Sequence, residues 1–171
     1  MLFLTKILVE VYYMKTIPNL LLLVVITFVL GSDALAQTTT SAYDSALAKQ
    51  VGADDYGMRN YVFCILKTGP KDSEIKGKAK RDDIFAGHMA NMNRLAAEGK
   101  LALAGPFGAN DRQYRGIFIF AVTTVEEAQK LVDTDPVIKS GMMVAELTPW
   151  YGSAATMLVN ENHKKIWKKT F

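Results

Sequence analysis

Hydrophobic residues change their spacing several times along this chain, and each change marks an element. Asn60 to Lys67 is a run dense in Val, Phe, Ile and Leu, closed by Thr68-Gly69-Pro70, and predicts a β-strand. Lys71 to Asp83 is highly charged and predicts a loop leading into a helix. From Ile84 to Glu98 the apolar positions recur at helical spacing, with Phe85, His88, Met92, Leu95 and Ala96 on one stripe and Gly99 as the stop. Leu101 to Phe107 predicts a short strand, Gly108-Ala109-Asn110-Asp111 supplies turn chemistry, and Tyr114 to Val122 returns as the second strand of a hairpin. Thr123 and Thr124 are followed, three residues on, by Glu126 and Glu127. These overlapping capping boxes start a second helix, whose apolar face is Val125, Ala128, Leu131 and Val132 and which runs to about Asp133. Asp135-Pro136 should break it, since the residue before proline is pushed out of helical backbone. Met142 to Trp150 is the last strand.

The order strand, helix, strand, strand, helix, strand defines an α+β, ferredoxin-like split βαβ (β-α-β-β-α-β) domain, with both helices on one face of the sheet. In the third strand Ile117, Ile119 and Ala121 point one way and Phe118, Phe120 and Val122 the other, so both faces are apolar. Tyr61 to Leu66 repeats the pattern. With no spare element of sufficient length to cover the second face, the pattern predicts a homodimer packed sheet to sheet.

The flanks differ from the domain at 60–152. In the first 36 residues Lys15 is followed by the apolar run Leu20 to Leu30 and then by Ala34-Leu35-Ala36, a positive region, an apolar core and a small-x-small site. This predicts a signal peptide over 1–36, cleavage before Gln37, and an exported protein, periplasmic or secreted, with no stable membrane insertion afterwards. Met14 offers an alternative start. The competing reading is an uncleaved anchor, because Ile7 to Leu30 together come near the roughly 20 residues that span a bilayer. Residues 37–59 are polar and small and predict a linker or loose arm; 153–171 is a basic tail, expected to be a solvated, helical end.

At 171 residues, half of them apolar, the chain suits one core. The formal charge of +3 comes entirely from Lys164, Lys165, Lys168 and Lys169 against Glu161. Basic residues are not spread over the domain, so no nucleic-acid partner is expected. Cys64 is the single cysteine, which excludes an internal disulfide, and its apolar strand predicts a buried thiol acting as a small hydrophobe. There is no Cys/His cluster, phosphate-cradling glycine loop or Ser/His/Asp motif, so neither metal nor cofactor is expected. Taken alone, His88 on an apolar stripe reads as a core histidine satisfied by a carbonyl. His163, in the basic tail, reads as exposed and inert. Gly105-Pro106 predicts a strand kink near a sheet edge.

Three segments carry a family resemblance: Ala86-Gly87-His88-Met89, Leu103-Ala104-Gly105-Pro106-Phe107 and Asp133-Thr134-Asp135-Pro136. Over about Asn60 to Gly152 the chain resembles the YCII-related proteins, whose members are dimeric α+β barrels of this topology. Members carry a His in the first helix and an Asp in the Asp-Pro step, proposed as an active-site dyad; these correspond to His88 and Asp135. Asp133, two residues away, is the competing aspartate and would close the helix end. The resemblance implies cofactor-free proton transfer. One member is similar to a dehydrochlorinase of a chlorinated hydroxyquinol, and related barrels serve as lactone isomerases and monooxygenases.

Two readings follow. In the first, the protein is an enzyme for small, partly apolar compounds, with His88 as acid and base, Asp135 as its orienter, and Met92, Gly105, Pro106, Phe107 and Trp150 lining the substrate pocket. Histidine titrates near neutrality, and a carboxylate on one ring nitrogen fixes the tautomer and raises basicity at the other. In the second, the same domain is a non-catalytic binding or interaction module and His88 is structural.

Overall fold

The computed structural model describes residues 43–169; the expected signal segment lies outside them. A helix, α1 (Ser45–Val51), comes first and is capped by Asp44, whose carboxylate accepts the amides of Ala46 and Leu47. The stretch expected as a linker or arm therefore holds a helix, and Val51 at its end is buried. Helix α1 is short, with too few apolar positions to establish a period in the sequence.

Four strands follow: β1 (Met58–Thr68), β2 (Leu101–Pro106), β3 (Tyr114–Phe120) and β4 (Met143–Ser153). They form one sheet in the order β2-β3-β1-β4 with every neighbouring pair antiparallel. Helix α2 (Lys78–Ala97) joins β1 to β2 and helix α3 (Val125–Val132) follows β3. This is the α+β, ferredoxin-like arrangement that the hydrophobic pattern predicts.

Helix α2 begins six residues earlier than the apolar stripe indicates. Its first turn is Lys, Ala, Lys and Arg, which carries no hydrophobic period; Arg81 holds the start by pairing with Asp72 at 2.7 Å. At α3 the Thr124 hydroxyl accepts the Glu127 amide at 3.2 Å, while the Glu127 carboxylate reaches back to Thr123. Asp133 closes this helix and stays exposed. Pro136 does more than end α3. It opens a further short helix, α4 (Pro136–Lys139), with Asp135 as the N-cap. The signal was legible, since proline is favoured at the first helical position and aspartate at the cap before it.

Strand alternation sorts the core. Val62, Cys64, Leu66, Phe118 and Phe120 face the helices and meet Leu95, Ala128, Val132 and Val137 there. Tyr61, Ala102 and Ile119, with Phe63, Leu103 and Ala121 packed against them, face the other way. The chain does have something to spare for this second face, contrary to expectation. A 3₁₀ turn (Ala154–Leu158) lays Met157 on the Tyr61 cluster, and helix α5 (Val159–Ile166) follows, with the Asn160 side chain donating to the Leu101 carbonyl at 2.6 Å. At least one end of the face is thus covered from within. Val144 and Trp150 on β4 remain 40% and 37% exposed.

Candidate active site

His88 reaches the helix-covered face because it lies on the stripe of α2 that turns toward the sheet. Its ring stacks on Phe118 of β3, 5.9 Å between centroids at 28°, and meets the edge of Phe85 at 6.3 Å. From the other side comes Asp135. His88 Nδ1 lies 2.8 Å from one carboxylate oxygen of Asp135 and 3.0 Å from the other. The side chains are 10% and 1% exposed. A carboxylate only accepts, so Nδ1 carries the hydrogen, and in a neutral ring the lone pair falls on Nε2.

Local backbone explains why Asp135 points inward. As N-cap of α4 it has extended backbone, φ −80° and ψ 126°, and Oδ1 accepts the Val137 amide at 3.1 Å. One carboxylate thus terminates a helix and holds an imidazole, which satisfies its buried oxygens. The turn before it is tied to α2. Thr134 Oγ1 lies 3.0 Å from Asn91 Oδ1, and Arg94 donates to both Asn91 Oδ1 at 2.8 Å and Thr134 Oγ1 at 3.2 Å. Asn91 and Arg94 sit one and two turns beyond His88, so the helix that carries the histidine also fixes the aspartate.

Cys64 lies beneath the pair, on β1 opposite Phe118. Burial pushes its thiol up to about 12, and the negative charge of Asp135 adds to the rise. It is a neutral, apolar floor for the site. The sequence pointed to a buried hydrophobe here, without placing it beside Asp135.

The expected lining residues are not all brought to this place. Met92, one turn beyond His88, packs against the helix-side core. Gly105 and Pro106 end the edge strand β2, opposite Ile117 and Gly116, and a Cβ on Gly116 would stand 2.9 Å from the Gly105 carbonyl oxygen. Phe107 turns to Tyr114 at 5.8 Å, whose ring Lys67 of β1 overlies. Trp150 packs beside Tyr61, at 5.4 Å, on the opposite face of the sheet from His88. Periodicity assigns a side chain to a face, but it cannot say which residues of different strands converge. An open groove lies elsewhere, between Gly52, Asp54, Met58, Arg59, Thr123 and Tyr151. There Arg59 donates to the Val51 carbonyl at 2.8 Å and so caps the end of α1. Among the described residues no three His, Cys, Asp or Glu side chains gather as a metal site would require.

A ferredoxin-like α+β domain with a buried histidine–aspartate pair between α2 and the turn after α3 defines the class. The chain belongs to the YCII-related family: the model of the YCII-related domain matches residues 61–151. It is also similar to a solved structure of 5-chloro-2-hydroxyhydroquinone dehydrochlorinase from Burkholderia phenoliruptrix AC1100, a complex with 2,5-dihydroxybenzoquinone. The identity is 25%, over 52% of this chain and 92% of that one, with a TM-score of 0.38. No curated protein matches the chain.

Proposed function

We propose that this protein is an exported, homodimeric enzyme that moves a proton on a small, partly apolar compound without a cofactor, in a lyase, isomerase or dehydrochlorinase type of reaction. The observation that carries the reading is the His88–Asp135 pair. A histidine merely filling a core needs one acceptor, and a backbone carbonyl would serve. Here a carboxylate is buried to provide it, which is costly unless the charge is put to use or fully bonded. Asp135 orients the ring through Nδ1, and Nε2 takes the proton and returns it as the imidazolium.

A specific observation favours the second reading, a binding or interaction module. His88 is nearly enclosed, and Asp135 already has a structural task as the cap of α4. Deuterium exchange separates the two. Small carbon acids, such as cyclic ketones and hydroxyquinones, are incubated with the protein in heavy water and followed by proton NMR. The enzyme reading expects catalysed exchange that falls by about a hundredfold or more in His88→Gln, the usual worth of a general base. Binding of such compounds with no exchange, or with exchange unchanged in His88→Gln, gives the module reading.

Export rests on the segment 1–36 and predicts a mature chain starting at Gln37. Mass spectrometry of the protein recovered from its native compartment reads this directly; an intact N-terminus embedded in membrane supports the anchor instead. No helix among the described residues is long and apolar enough to cross a membrane.

A further inference from the structure

The C-terminal segment presents a surface that neither the sheet nor the His88 site uses. Helix α5 is fixed to the domain by Asn160 on Leu101, and Lys165 pairs with Glu161 at 3.1 Å. Lysines in the last turn of a helix complement its carbonyl end, so Lys164 and Lys165 have a local explanation. That explanation does not extend to Lys168 and Lys169, which lie past the cap at Trp167 and are exposed. Nor does it cover Ile166, 78% exposed, or Trp167 beside it, 40% exposed. Val159, 37% exposed, precedes Ile166 by seven residues, which is close to two helical turns and puts both on one line of the helix. An apolar line, an indole and four lysines thus share one short terminal segment.

We infer that α5 and the residues after it form a docking surface for an anionic lipid bilayer, with the helix lying in the plane of the interface. The lysine ammonium groups meet lipid phosphates, Val159 and Ile166 enter the boundary between headgroup and acyl chain, and the indole of Trp167 takes the headgroup level, where its apolar ring and polar N–H are both satisfied. A nucleic-acid backbone would match the lysines equally well but would leave Val159 and Ile166 in water. The sum of charge and apolar exposure favours lipid. This surface is independent of the reaction at His88.

The test is sedimentation of the full chain with vesicles of phosphatidylcholine alone and of phosphatidylcholine mixed with phosphatidylglycerol. Each lysine near such a surface contributes about fivefold in affinity. The expected result is binding to the mixed vesicles that salt releases, with a loss of about tenfold or more in the double variant Lys168→Glu, Lys169→Glu. Ile166→Ser weakens binding as well, and tryptophan emission shifts to the blue on binding, a shift absent in Trp167→Tyr. All four positions are exposed, so circular dichroism should be unchanged. The apolar run Leu20 to Leu30, where retained, would partition into both kinds of vesicle alike, so dependence on lipid charge and on these variants isolates the C-terminal surface. Equal binding to both vesicles, or binding indifferent to the variants, overturns the inference; tighter binding to a DNA duplex, lost in the lysine variant, assigns the surface to nucleic acid.

Discussion

Gly87 of α2 lies so close to Pro136 that a Cβ built on it would stand 2.9 Å from the proline Cγ. The contact has a direct effect one residue along each chain segment, because the residue after Gly87 is His88 and the residue before Pro136 is Asp135. Only a glycine lets the proline ring seat against the helix, and the seating brings the two side chains to 2.8 Å.

Gly87→Ala tests this relationship. In an exposed helix interior alanine is favoured over glycine by about 1 kcal/mol. Here the added methyl must displace a rigid ring, and overpacking of this kind costs about 1–3 kcal/mol. The expected outcome is a net loss of stability in urea together with a shift of the His88 ring resonances. A more stable variant with unmoved resonances would mean that the contact does not set the pair.

Asp135 serves both Val137 and His88, so its substitutions should separate. Asp135→Ala leaves two buried donors without partners and is expected to cost about 2–4 kcal/mol. Asp135→Asn keeps the volume and one acceptor oxygen, and should cost less than half as much while abolishing the charge. Equal losses, measured by chemical denaturation, would assign the stabilisation to charge rather than to the hydrogen bonds.

Cys64 should resist thiol reagents in the folded protein at mildly alkaline pH and react only on unfolding, because the thiolate is excluded by burial and by Asp135. Its folded value, about 12, stands above the ordinary 9.0, so the folded state holds the proton more tightly. The stability this contributes is fully present below the ordinary value and is lost as pH rises through the folded one. Labelling with a chromogenic disulfide, with and without denaturant, checks the first point. The alkaline limb of the urea midpoint against pH, compared with Cys64→Ala, checks the second.

The second sheet face predicts association. Val144 and Trp150 are exposed on β4, opposite Lys67 and Tyr61 of β1, while the 3₁₀ turn covers the region of Met157. Light scattering is expected to give the mass of two chains at micromolar concentration, and Val144→Asp to shift the mass toward one. A monomeric wild type would mean that the chain's own C-terminal segment is the whole cover.

The sequence by itself determined the order of elements and the face on which each apolar residue lies. Periods of 2 and 3.6 are local properties, and β1, α2, β3 and α3 carry them strongly enough to read. His88 was therefore placeable on the sheet side of its helix, and Asp135, before a proline, outside helical geometry. The start of α2, helix α1 and the Met157 cover were not legible, because charged or very short segments owe their conformation to partners distant in sequence, as Arg81 does to Asp72 and Asn160 to Leu101. The candidate site divides in the same way. The family resemblance singled out His88 and Asp135, which residue type and spacing alone did not, but only tertiary packing decided that Trp150 and Phe107 belong elsewhere, that Cys64 lies under the aspartate, and that a glycine sets how near the two halves of the pair can come.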